Sequence, residues 1–155
     1  MNQTCCFTGH KILPKDQIET ITSNLNHTID NLIAQGVTDF LSGGLLGFDL
    51  LAASLVLAKK EAGANVRLLF ALPYPHHEQY WTERQETLLH NLLLHADETV
   101  YVSEAYHPTY MKRHSAFLAT HASVCVCALK KPLCDTHQTV RLARGLRLPV
   151  INILK

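Results

Sequence analysis

Charge of either sign is in short supply. Fourteen Lys and Arg oppose 13 Asp and Glu over 155 residues, leaving a formal +1. The basic residues are scattered singly or in pairs (Lys59-Lys60, Lys112-Arg113, Lys130-Lys131), so no stripe tracks a phosphate backbone. The charge pattern therefore weighs against a nucleic-acid partner. Long apolar runs are missing too: Val66–Leu72 is broken by Arg67 and falls far short of the ~20 residues a membrane helix needs. The opening Met1-Asn2-Gln3-Thr4 lacks the charged start and apolar stretch of a secretion signal, which gives a cytoplasmic location as the expectation. Five cysteines make an odd set, mostly inside apolar strand-like runs, so reduced thiols fit better than a disulfide framework. Their spacing, and that of the ten histidines, matches no metal signature, and no metal site is expected. Internal repeats, low-complexity stretches and linkers are also lacking.

What remains is an ordinary globular composition, with 47% hydrophobic residues. The length suits one domain over residues 1–155. Short β-rich runs alternate with longer helical ones. Thr4–Thr8 reads as a strand ending at Gly9. Ile18, Ile21, Leu25, Ile29 and Leu32-Ile33 then recur at helical spacing over about 15–34. Strand Asp39–Ser42 and a helix from Phe48 to Gly63 follow, then strand Val66–Ala71 and helix Glu78–His95. Strand Glu98–Val102, helix Pro108–His121, strand Ser123–Leu129, helix Asp135–Leu146 and strand Val150–Leu154 complete the pattern.

Strands that alternate with helices require crossover connections, and crossovers produce a parallel sheet covered on both faces. Val124-Cys-Val-Cys-Ala128 has the continuous apolar character of such a strand. The expectation is an α/β, three-layer Rossmann-like domain with a mostly parallel sheet flanked by helices.

In that architecture a ligand sits beyond the carboxyl ends of the strands. Three loops belong there: Thr8-Gly9-His10-Lys11, Ser42–Asp49, and Lys130–Thr136. The second carries Gly43, Gly44 and Gly47 before a helix, and glycines let backbone N–H groups approach an anion at a helix amino end. Asp49, one turn in, suits a helix cap or an acceptor for a ribose hydroxyl. The same glycines also suit a tight strand-to-helix turn with no ligand. His10 is the histidine placed in the first loop; His114 and His121, seven apart on one helix face, read as surface or core residues.

Thr4-Cys-Cys-Phe-Thr-Gly-His10, followed by Lys11 and Pro14, resembles the opening Cys-Cys-Phe-Thr-Gly-His-Arg-Pro of the YpsA-like Rossmann proteins. Gly36-Val-Thr-Asp-Phe-Leu-Ser-Gly-Gly-Leu-Leu-Gly-Phe-Asp49 is similar to a second segment of that family, and Ala71-Leu-Pro73, Trp81, Ala96-Asp97, Tyr106, Met111 and Arg113 fall where it carries like residues. The family belongs to the SLOG superfamily, with DprA and the LOG hydrolases. The resemblance implies a small nucleotide-like ligand, with a nucleotide, NAD or an ADP-ribose derivative as candidates. It also implies a site drawn from Gly9, His10, Lys11, Ser42, Gly43, Gly44, Gly47, Asp49 and Thr136. Arg113 enters as a phosphate partner, or as an exposed helix residue.

One departure stands out. The family's Gly-Gly before Thr-x-x-Thr-Val is Cys134-Asp135 here. A carboxylate at 135 would repel a diphosphate, or would cap the helix that follows. The LOG Pro-Gly-Gly-x-Gly-Thr signature and its glutamate are absent. The leading expectation is a nucleotide-binding or sensing domain. Its rivals are a nucleoside-phosphate hydrolase of LOG type using Asp49 with His10 or another loop residue, and an interaction scaffold with a degenerate site. A homodimer is the expectation by analogy with similar domains.

Overall fold

The structure, a computed structural model, describes residues 3–129 and 135–154, with backbone alone for 135–137. Six strands form one sheet: β1 (Gln3–Gly9), β2 (Val37–Ser42), β3 (Arg67–Leu72), β4 (Glu98–Tyr101), β5 (Val124–Ala128) and β6 (Val150–Asn152). They are joined through α1 (Ile18–Ala34), α2 (Phe48–Glu61), α3 (Glu83–His95), α4 (Tyr110–Thr120) and α5 (Asp135–Gly145). Every pairing is parallel, and the strand order is β4-β3-β2-β1-β5-β6. This is the α/β Rossmann-like arrangement expected from the alternation. From β1 to β4 the chain steps one way across the sheet; β5 then returns to the other side of β1. The strand order therefore reverses at β1, which lies between β2 and β5.

Strand side chains alternate between faces, and along the central strands β1, β2 and β5 both faces are largely buried. Cys5, Phe7, Phe40, Leu68 and Phe70 point to one core with Ile21, Leu25 and Ile29 of α1 and Val56 of α2. Cys6, Leu41, Ala71 and Cys125 point to a second core closed by Leu118 of α4 and Ala143 of α5. In the first core the Phe7 ring stacks on Phe40 at 6.0 Å and meets Phe48 edge-on at 6.3 Å. The β4 edge of the sheet is pinned by Asp97. Its carboxylate accepts from Lys60 Nζ at 2.9 Å and from the Leu68 N–H at 2.8 Å, tying α2 to the start of β4.

Most boundaries shift by a residue or two, and two of the differences have a clear local cause. Helix α3 begins at Glu83, not Glu78, because Thr82 and Gln85 form a reciprocal capping box and fix the start there. The preceding residues turn instead, with His76 at φ 62. Strand β6 stops at Asn152, whose side chain bonds both backbone groups of Leu129 and also accepts the Leu154 N–H. The side chain substitutes for further strand pairing. Among the described residues no helix is long and apolar enough to cross a membrane.

Candidate functional site

The site grows from the contact between the first two strand-to-helix loops. At Gly9 a Cβ would lie 2.3 Å from Phe48 Cγ, so only glycine lets the first phenylalanine of α2 pack beneath the end of β1. Gly47 adopts φ +78, and a Cβ there would lie 2.4 Å from the carbonyl oxygens of both His10 and Lys11. The Phe48 N–H, the first of α2, donates to the His10 carbonyl at 3.1 Å. The two loops are thus joined backbone to backbone.

The second loop is also closed on itself. The Ser42 hydroxyl accepts from the Gly44 N–H at 3.2 Å and donates to the Asp49 carbonyl at 3.1 Å. The Leu45 N–H donates to Asp49 Oδ2 at 3.3 Å. Gly44, at φ +72, would place a Cβ 2.2 Å from Leu72 Cδ2, and its carbonyl lies 2.8 Å from His77 Nε2. A Cβ on Gly43 would lie 2.7 Å from His114 Cε1 and 2.8 Å from Asp49 Oδ2. Glycine at 43 is what allows these two side chains to flank the turn.

Over this junction, at the carboxyl end of β1, lies a cavity of about 510 Å³. Its sides come from the loop after β1, from α4 and from α5. Lys11 stands at the exposed rim, Ile12, Leu13 and Met111 supply apolar wall, and Asp49 and His114 lie at the buried end. Asp49 is 3% exposed. Burial pushes its carboxyl up to about 7, against the opposing pull of the Leu45 N–H and the Lys11 ammonium. Near neutral pH it is therefore poised between a hydrogen-bond-donating acid and an accepting carboxylate. His114 is fully buried, with Nε2 2.8 Å from the Ala71 carbonyl. A carbonyl only accepts, so Nε2 carries the proton in the neutral ring.

Of the residues singled out in the sequence, Gly9, His10, Lys11 and Asp49 come together on the cavity. Ser42, Gly43, Gly44 and Gly47 do not line it. The Gly44, Leu45 and Phe48 N–H groups of the second loop are bonded within the protein, and its glycines allow close packing between chain segments. Arg113 is exposed on α4 and does not line the cavity, the placement expected of a helix-surface residue. Thr136 lies in α5, but its side chain falls outside the described residues, as do Lys130–Cys134 and the side chain of Asp135. Sequence reasoning missed His114, Ser115 and Thr139, all buried on this cavity. Only their polarity at inward-facing helix positions signalled them.

The four described cysteines are core; Cys134 lies outside the described residues. Cys6 and Cys125 sit side by side on β1 and β5, and Cys5 and Cys127 are likewise buried. Hydrogen bonding to Cys6, with burial, drives the Cys125 thiol far above its usual range, so it carries no thiolate. Among the described residues no group of three or more His, Cys, Asp or Glu is placed to hold a metal.

Comparison with known proteins agrees with this fold. The model of the YspA SLOG family (YpsA) matches residues 8–135, and the chain belongs to that family. A UPF0398 protein of Staphylococcus aureus strain JH9 is 24% identical over 134 residues, covering 79% of this chain and 70% of the relative. DNA processing protein A from Streptococcus pneumoniae superposes with a TM-score of 0.71 at 11% identity, over 96% of this chain and 49% of that one. Its counterpart from Helicobacter pylori gives 0.68 at 12%, over 96% and 63%. The molybdenum cofactor carrier protein of Chlamydomonas reinhardtii gives 0.60 at 18%, over 97% and 75%. This chain thus spans about half to two thirds of the DNA processing proteins it matches. The Helicobacter pylori protein binds single-stranded DNA. The expectation that near-neutral charge weighs against nucleic acid is withdrawn accordingly: ring stacking and a few local cations hold a single strand without a net-charge signature.

Proposed function

For this YpsA-family SLOG domain, we propose that the cavity between the β1 loop, α4 and α5 binds a small phosphate-bearing nucleotide derivative. The observation that carries the reading is the cavity itself, about 510 Å³ at the point where strand order reverses, with Lys11 at its rim and Asp49 at its buried end. The apolar wall of Ile12, Leu13 and Met111 suits the face of a base. Asp49 suits the hydroxyls of a ribose, and Lys11 suits a phosphate. The fold shared with a protein named as a molybdenum cofactor carrier supports a small-ligand role. The reading is one of binding, and no turnover is assigned.

Calorimetry against AMP, ADP-ribose and NAD tests it. At least one should bind more tightly than millimolar. Lys11→Ala should weaken phosphorylated ligands about tenfold, the ~1.5 kcal/mol of a charge-assisted hydrogen bond, and leave the matching nucleoside unchanged. Failure of every ligand, or indifference of phosphorylated ligands to Lys11, would reject the reading.

A second reading is single-stranded nucleic acid, favoured by the fold shared with the Helicobacter pylori protein. It requires an oligonucleotide to bind more tightly than its component mononucleotide, with affinity that falls as salt rises.

A further inference from the structure

The aromatic residues are sorted by type. Phe7, Phe40, Phe48 and Phe70 are sealed in the core. The tyrosines and the sole tryptophan gather instead near the carboxyl ends of β3 and β4. Tyr74 follows β3, Tyr80 and Trp81 precede α3, and Tyr106 and Tyr110 come from the segment entering α4. The Tyr74 ring meets Tyr110 edge-on at 5.1 Å and Tyr106 edge-on at 5.6 Å, and Tyr106 lies 5.7 Å from Tyr110. His77 bridges toward Trp81, with ring centroids 5.2 Å apart. Tyr106 is nonetheless 63% exposed and Tyr80 91%. A core does not need this cluster, and its outer rings offer faces and edges to solvent.

Position gives the cluster meaning. Tyr74, Trp81 and Tyr110 line a smaller cavity of about 110 Å³, and Lys11 and Leu45 border both it and the large cavity. The two hollows are therefore neighbours with a cation between them. An aromatic wall stacks any base because every base presents a π-face, while an ammonium between two such sites neutralises a bridging phosphate.

We propose that the tyrosine cluster is a second subsite, which takes a second planar base joined through phosphate to the group in the large cavity. The ligand is then a two-base molecule bridging over Lys11. This inference rests on the binding reading above and deepens it. The same chemistry comes from two sources, a free dinucleotide or two adjacent nucleotides of a single strand.

Trp81, the chain's sole tryptophan, makes the test specific. Its fluorescence is titrated with one-base probes (AMP, ADP-ribose), two-base probes (NAD, pApA) and a deoxythymidylate decamer. Two-base probes should quench Trp81 and bind roughly 5- to 140-fold more tightly than one-base probes, the equivalent of about 1–3 kcal/mol per stacked base. Tyr106→Ala, at an exposed position, should remove most of that advantage while AMP affinity stays within about twofold; Tyr106→Phe, which keeps the ring, should retain it. A decamer that outbinds pApA assigns the subsite to a strand, and one that does not assigns it to a free dinucleotide; both uphold the subsite. Binding of AMP with no gain from a second base overturns this inference and leaves the binding reading standing. No binding by any probe overturns both.

Discussion

Replacing Asp49 by Asn should change the pH dependence of stability in a way few other single substitutions would. The carboxyl is 3% exposed, and burial raises it from an ordinary 3.8 to about 7 in the folded protein. A raised carboxyl binds its proton more tightly in the folded chain than in the unfolded one. Stability from this group is therefore full below the unfolded value, and it declines as pH rises from about 4 to about 7. At 1.36 kcal/mol per pH unit, the decline totals about 4 kcal/mol, an upper figure because water entering the cavity relieves part of it. Asparagine keeps the shape and the acceptor for the Leu45 N–H but cannot ionise. His77 works in the opposite sense, since burial lowers its pKa and its contribution grows as pH rises toward its ordinary value. The difference between wild type and Asp49→Asn removes that background. Urea denaturation followed at Trp81 should give a small gap at pH 5, where roughly a third of the decline has occurred. At pH 8.5 the Asn variant should be the more resistant, by on the order of 1–2 M urea. A gap that stays constant from pH 5 to 8.5 would refute the assignment of a buried, titrating carboxyl.

Other outcomes follow from the packing. Gly47→Ala should cost about 3 kcal/mol or more, because positive φ adds ~1–2 kcal/mol and the new methyl meets backbone oxygens at 2.4 Å; thermal unfolding should fall by roughly 6–12 °C. Gly63→Ala, also at positive φ but in open space, should cost only about 1 kcal/mol, and the contrast in melting temperature checks that close approach sets the difference. Thr82→Ala should lose about 1 kcal/mol with the capping box, and amide exchange should quicken first in the opening turn of α3. Arg113→Ala should leave nucleotide affinity within about twofold by calorimetry, and a larger loss would return Arg113 to the site. Cys5, Cys6, Cys125 and Cys127 should resist a thiol reagent in the folded chain and react once it is unfolded in urea.

The sheet was legible because doubly covered strands announce themselves: all of Val124–Ala128 is buried, as its unbroken apolar run requires. Helix α1 was legible for the complementary reason, with Ile21, Leu25, Ile29 and Leu32 buried at helical spacing. The start of α3 went wrong although its signal was present, since Thr82-x-x-Gln85 marks an amino end more sharply than the polar run before it. The second loop was read for what glycine permits toward a ligand. What Gly44 and Gly47 accommodate is Leu72 and the His10 and Lys11 carbonyls, neighbours that are remote in sequence and brought close only by the fold. For the same reason His114, 65 positions after Asp49, could not be paired with it by spacing. Lys11 and Asp49 were within reach because each sits just beyond a strand whose end was already placed.

Stitching the head of α2 to the His10 carbonyl carries a mechanical consequence. The β1 loop and α2 form one lever, since Gly47 leaves no slack between them and Phe48 wedges beneath Gly9. α2 in turn is clamped through Lys60 to the start of β4 on the far margin of the sheet. The segment bearing Lys11 and the start of β4 are thus joined by a continuous run of contacts through α2.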